Sequence, residues 1–129
     1  MLHTSIFAII LATMAFEDYK QKKSVVVVYT GDNKGKTSAS IGLMCRALGR
    51  GQKVAYIQFI KHWEVGEHTF IHKIQPLFKE ELYFFRGGKG FYNAGELSEK
   101  GIDEASHKKA AQETLAVAQE CSRSGDYDI

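Results

Sequence analysis

Apolar positions fall along this chain in blocks whose period changes from one block to the next, with polar or glycine-rich stretches between them. Leu2 to Phe16 is largely apolar, with Ile6-Phe7-Ala8-Ile9-Ile10-Leu11-Ala12 at its centre and Glu17-Asp18-Tyr19-Lys20 behind it. This run is too short for a membrane span, and its basic residues follow the apolar part where a secretory signal would place them first. Residues 1–23 are therefore expected to form an N-terminal helical segment whose apolar face covers the domain or a partner subunit. Val25-Val26-Val27-Val28-Tyr29 is β-branched almost throughout, as in a strand buried on both faces of a parallel sheet. Ile41, Met44, Cys45 and Leu48 then recur at i, i+3, i+4 and i+7, which predicts a helix to about Leu48, ended by Gly49-Arg50-Gly51.

The apolar run Val54 to Ile60 predicts a second strand, so that strand, helix and strand make a right-handed βαβ unit. Residues 61–80 read as a loop with a short helix around Thr69–Ile74, and Leu82-Tyr83-Phe84-Phe85 as a third strand. Gly87 to Gly95 is a glycine-rich loop carrying Phe91 and Tyr92. From Ser98 a long helix is expected to about Ser122, with Ala105, Ala110, Leu115, Val117 and Ala118 as its apolar contacts. Ser124 to Ile129 reads as a turn into a fourth strand that does not continue.

A chain of 129 residues gives one domain, and a formal net charge of +2 without a long basic block argues against electrostatic binding of nucleic acid. Cys45 and Cys121 form no pair at metal-binding or redox spacing, so two free thiols of a reducing, cytoplasmic compartment are expected.

The chemistry concentrates in Thr30-Gly31-Asp32-Asn33-Lys34-Gly35-Lys36-Thr37-Ser38, between the first strand and its helix. Backbone N–H groups of such a turn curl around an anion, and the helix N-terminus adds partial positive charge. Lys36 would reach the outer phosphates of a nucleotide, and the Thr37 hydroxyl would sit on Mg²⁺. The frame is a variant of G-x-x-x-x-G-K-[ST], since Thr30 holds its first position and the glycine follows at Gly31. Asn33 stands at a middle position where its tolerance of left-handed backbone angles would preserve the turn. The expected fold class is thus α/β, a parallel-sheet P-loop nucleotide-binding fold in three layers with helices on both faces. Residues 24–129 are expected to form the nucleotide-binding domain, incomplete at its C-terminus.

Val26 to Gly42, Arg46-Ala47-Leu48-Gly49-Arg50-Gly51 and Gln58-Phe59-Ile60-Lys61, together with Gly66-Glu67 and Gly88-Lys89-Gly90-Phe91, resemble the P-loop-type ATP:corrinoid (cob(I)alamin) adenosyltransferases. The resemblance covers roughly residues 24–129, about the N-terminal two thirds of such an enzyme. It implies transfer of the 5′-deoxyadenosyl group of ATP to the reduced cobalt of a corrinoid, with release of triphosphate. It also implies Mg²⁺ with ATP as co-substrate, a reductase that supplies Co(I), and a homodimer, with no nucleic acid or membrane partner. Lys36 and Phe91 would carry the chemistry, the first by neutralising triphosphate and the second by expelling water and the axial ligand from cobalt. The family often has Thr-Trp after this Phe, whereas Tyr92-Asn93 stand here. Ser38 for Thr is a mild change.

Gly31, Asp32, Asn33, Lys34, Gly35, Lys36, Thr37 and Ser38 are the candidate phosphate contacts, although Lys34 reads equally as a solvated loop lysine. Gln58, Lys61 and Glu67, beyond the end of a strand where α/β ligand sites form, read equally as ligand contacts or as loop polarity. Phe91 and Tyr92 read as corrin contacts or as aromatics that anchor the loop. His68 and His72, with Glu64 nearby, have the i, i+4 spacing of a metal pair but no third ligand, so a surface histidine pair is the favoured reading. Trp63 reads as a loop anchor, and Lys108-Lys109 as a solvated helix face. A P-loop kinase or NTPase, and a nucleotide- or corrinoid-binding remnant, are the rival functions.

Overall fold

The computed structural model describes residues 24–98 and 100–129, so the expected helix over 1–23 lies outside the described residues. The chain divides into two units, residues 1–31 and 32–129. In the first, the expected strand Val25–Tyr29 is not formed: these residues join no β-ladder and their side chains are exposed, Val26 to 91%. β-branched composition makes extended backbone favourable, but a strand exists only where a neighbour completes its hydrogen bonds.

The second unit runs α1 (Lys36–Leu48), β1 (Val54–Gln58), α2 (Gly66–Ile74), a 3₁₀ turn (Gln75–Leu77), β2 (Leu82–Arg86), a second 3₁₀ turn (Gly95–Leu97) and α3 (Glu104–Ser124). β1 and β2 pair in parallel, from Val54 opposite Leu82 to Gln58 opposite Arg86. The βαβ unit of this structure is therefore β1–α2–β2. The second strand ends at Gln58, two residues short of the expected Ile60, because Ile60 turns to φ 66° and leaves the extended region. On the other flank of β1, Ala55 N–H donates to Ile129 O at 2.8 Å and Ile129 N–H to Lys53 O at 3.2 Å, which is parallel ladder geometry. The Asp128 carboxylate accepts from Lys53 N–H at 2.9 Å. The expected turn toward a fourth strand thus reaches the sheet in its last two residues.

The core follows from the period-two alternation of the strands. Val54 and Leu82 are buried with Met44, Ala47 and Leu48 of α1 and Ile71 of α2, and Tyr56 and Phe84 pack against this cluster. Each such side chain taken fully from water contributes about 1.5–3 kcal/mol. Tyr56 and Phe84 are cross-strand partners, with ring centroids 6.1 Å apart. Ala47, not the expected Cys45, completes the buried face of α1, and Cys45 is exposed. Tyr83, on the opposite strand face from Leu82 and Phe84, shares a small cavity with Val117, Glu120 and Cys121 of α3. Both cysteines are free thiols, and burial raises the pKa of Cys121.

α3 starts six residues later than expected. Asp103 is its N-cap, accepting from Ser106 N–H at 2.8 Å, while Ser98 closes the 3₁₀ turn and bonds Ala94 N–H through its hydroxyl. The buried face also differs from the predicted one. Ala110 and Thr114 are buried, whereas Ala105 and Leu115 are exposed. Gly87 and Gly88 let β2, β1 and α3 approach closely. A Cβ at Gly87 would lie 1.8 Å from Thr114 Oγ1, and one at Gly88 would lie 2.5 Å from the Ile60 backbone.

Candidate functional site

The loop ahead of α1 has the backbone its sequence implies at its closing glycine. Gly35 is the N-cap at φ 108°, a left-handed angle that a side chain would strain, and no side chain caps the helix. The first turn, Lys36-Thr37-Ser38, is exposed and contains no acidic residue, so its N–H groups and dipole face solvent uncompensated by a carboxylate. Asp32, Asn33 and Lys34 are exposed bends. Asn33 does not take the left-handed angle its identity would allow. Its carbonyl instead accepts from Lys36 Nζ, which folds the lysine over the loop. Gly31, at φ 145°, belongs to the preceding unit. Ser40, one turn into α1, bonds the Thr37 carbonyl at 2.8 Å and lies 3.0 Å from the Tyr56 hydroxyl, which ties the helix start to β1.

Gln58 and His68 are both buried. His68 Nδ1 accepts from Val65 N–H at 3.1 Å and lies 3.0 Å from Arg86 Nη1, so this nitrogen carries no proton. The proton is on Nε2, which donates to Gln58 Oε1 at 2.6 Å. With both nitrogens committed, His68 is a structural group at the joint of β1, α2 and β2, which corrects the reading of a surface pair with His72. Burial, and secondarily the Arg86 charge, lowers its pKa. Lys61 and Glu67 form an ion pair at 3.8 Å, so the two candidate residues are at least brought together. Among the described residues no group of three or more His, Cys, Asp or Glu could hold a metal ion.

Phe91 and Tyr92 meet in a separate place. With Phe59, Ile60, Gly88, Lys89 and Gly90 they line a largely apolar cavity of about 370 Å³, whose remaining wall comes from α3. Trp63 lies tilted against Phe91 with centroids 5.5 Å apart, so the anchoring role read for it is matched by a contact with the loop. Tyr92 OH donates to Glu104 Oε2 at 3.1 Å, a bond that raises the tyrosine pKa. The Tyr92 ring also lies 5.2 Å from that of His107. Glu104, His107, Lys108 and Ala111 form the α3 wall at i, i+3, i+4 and i+7. Sequence reasoning missed this stripe because three of its four residues are polar or charged and carry no apolar signal at helical spacing. Lys108, read as merely solvated, is exposed and borders the cavity.

These features define the class: an α/β protein with a glycine-rich loop at a helix start and an aromatic-walled cavity. The chain belongs to the ATP:corrinoid adenosyltransferase BtuR/CobO/CobP family, whose model matches residues 22–129. It is 36% identical over 96 residues to a corrinoid adenosyltransferase of Pseudomonas aeruginosa, a match covering 72% of this chain and 45% of that protein. A corrinoid adenosyltransferase of Escherichia coli (strain K12) is 42% identical over 53 residues, 40% of this chain and 27% of that protein. One from Sinorhizobium sp is 33% identical over 90 residues, 69% of this chain and 40% of that protein. The chain thus matches less than half the length of each of these relatives. No solved structure matches it significantly.

Proposed function

We propose that the chain carries the ATP- and corrinoid-handling part of an adenosyltransferase that moves the 5′-deoxyadenosyl group of ATP onto the reduced cobalt of a corrinoid. The observation that carries this reading is the family match over residues 22–129, which takes in both the Gly35-Lys36-Thr37 helix start and the Phe91 cavity. In the reaction the Co(I) substrate attacks the ribose 5′ carbon, a cobalt–carbon bond forms, and the C5′–O bond breaks. Triphosphate leaves with the electron pair.

Asp32 to Ser38 cradle the triphosphate, and Lys36 swings from the Asn33 carbonyl to the phosphate oxygens, stabilising the charge that grows on the leaving group. Thr37 is exposed in the first turn, and its hydroxyl is the hard oxygen donor that suits Mg²⁺ entering with the nucleotide and held mainly by phosphate oxygens. Phe91, with Tyr92, faces the corrin and excludes water from its cobalt. Lys61 and Glu67 line the nucleotide side, and Gln58 sets the end of β1 from which both loops depart. The complete fold would be a three-layer P-loop sheet with helices on both faces. The protein works in the cytoplasm as a homodimer and receives Co(I) from a reductase.

The test is an anaerobic absorbance assay with chemically reduced cobalamin, MgATP and this chain. Adenosylated cobalamin appearing together with triphosphate supports the reading. ADP formed with a hydroxyl acceptor would indicate a kinase instead, and ATP binding without product a binding module.

A further inference from the structure

Among the described residues, one buried side-chain polar atom has no hydrogen-bond partner: Nε2 of His107, in the wall of the Phe91 cavity. Buried polar atoms elsewhere in this unit are paired, as with both nitrogens of His68 and the Thr114 hydroxyl, which donates to Ala110 O at 2.8 Å. A buried polar group left unsatisfied opposes folding and is uncommon, so it asks for a reason. The Tyr92 hydroxyl bonds the Glu104 carboxylate rather than this nitrogen. The Tyr92 ring instead lies beside the imidazole at 5.2 Å.

The cavity is walled by Phe59, Phe91 and Tyr92, and its 370 Å³ is near the small end of the ~300–1,000 Å³ range of ligand pockets. That volume suits the edge of a large flat ligand better than the whole of it. Tyr92 is half exposed and belongs to a loop with Gly88 at φ 110° and Gly90 at φ 91°, so its ring can be displaced without dragging a strand. Displacement would uncover Nε2 toward whatever fills the cavity.

Resting on the corrinoid reading, we infer that His107 contacts the ligand, its Nε2 hydrogen-bonding a carboxamide on the edge of the corrin once Tyr92 moves aside. Aromatic walls take the flat macrocycle, and the histidine reads the amides around its rim. With Nε2 as the acceptor of an amide N–H, His107 is a specificity-determining residue that favours amide-bearing corrins over those whose side chains are esters, which lack an N–H donor.

Trp63 is the only tryptophan and touches Phe91, so its fluorescence reports binding to the full chain. The probes are a carboxamide corrinoid lacking a nucleotide base, and the corresponding corrin methyl ester. Wild type should bind the amide form about tenfold more tightly, the scale of one hydrogen bond. The preference should vanish in His107→Leu and persist in His107→Gln, with ATP affinity unchanged in both. A preference that survives in His107→Leu overturns the amide contact and leaves the corrinoid reading standing. Cobalt absorption bands that shift on binding to wild type but not to His107→Leu would place Nε2 on the metal, and would also overturn it. Absence of quenching by either corrin overturns the corrinoid reading, and this inference with it.

Discussion

His68 Nε2 donates to Gln58 Oε1 across 2.6 Å, joining the third residue of α2 to the last residue of β1 where neither side chain reaches much solvent. Replacing His68 with Ala strands Gln58 and removes the acceptor facing Arg86 and Val65. Each buried group left without a partner costs about 1–3 kcal/mol, so a loss of about 2–4 kcal/mol is expected in urea unfolding. His68→Ala should also loosen the Phe59–Ile60 wall, seen as faster amide exchange beyond β1.

The same histidine gives the protein a pH dependence of defined sign. Its pKa in the fold lies below the ordinary value of 6.5, so the unfolded chain binds the proton more readily. The stabilisation is complete above pH 6.5 and is lost progressively as the pH falls from there through the lower folded value. Unfolding free energy measured from pH 8 down to 5 should therefore decline in wild type, and decline less in His68→Ala.

Gly88→Ala should be strongly destabilising. Its φ of 110° strains any side chain, and the added Cβ would meet the Ile60 backbone at 2.5 Å. Left-handed strain alone costs about 1–2 kcal/mol, and the clash adds to it. Thermal melting would show it, and a melting temperature equal to wild type would contradict the close packing of β1 against β2's exit. Gly87→Ala meets the buried Thr114 and should be comparably damaging.

Lys36→Ala tests the loop. The lysine is exposed, so the fold and the melting temperature should persist. Triphosphate affinity, read by calorimetry with MgATP, should fall about 10–100-fold, as expected for loss of one charge-assisted hydrogen bond. Unchanged affinity would remove Lys36 from the phosphate site.

Asp103→Ala removes the N-cap of α3 and with it the bond from Ser106 N–H, which holds the Asp103 carboxyl below its usual pKa. The first turn, carrying Glu104 and His107, should fray and exchange its amides faster, while the rest of α3 stays protected. The same fraying should appear in wild type as acid protonates Asp103, because the carboxylate bond is lost as pH falls.

What could be read in advance was what short stretches of chain decide for themselves. β1, β2 and α1 were legible from apolar runs and helical spacing, and Gly35 from the turn it must make. Val25–Tyr29 failed because its composition says extended while pairing is settled by distant residues. The start of α3 failed because Ser98 and Asp103 are both plausible caps, and Asp103 is the one whose carboxylate meets an N–H three residues on. Phe91 was singled out through the resemblance and Tyr92 as a departure from it, and the structure places both in one cavity wall. His107 carries no apolar signal that would mark it, and Gln58, read equally as a ligand contact or as loop polarity, is buried against His68.

The bond between Lys53 and Asp128 spans 75 residues of sequence. A strand flanked on one side by β2 and on the other by Asp128 and Ile129 has one neighbour unavailable until α3 has been made and has crossed back. Contacts of such separation slow folding, since a long loop must be closed before they form. During synthesis β1 would leave the ribosome early yet wait with one flank open until the last residues of this segment emerge. Over that interval the flank presents unpaired N–H and C=O groups, the kind of edge on which other chains can add.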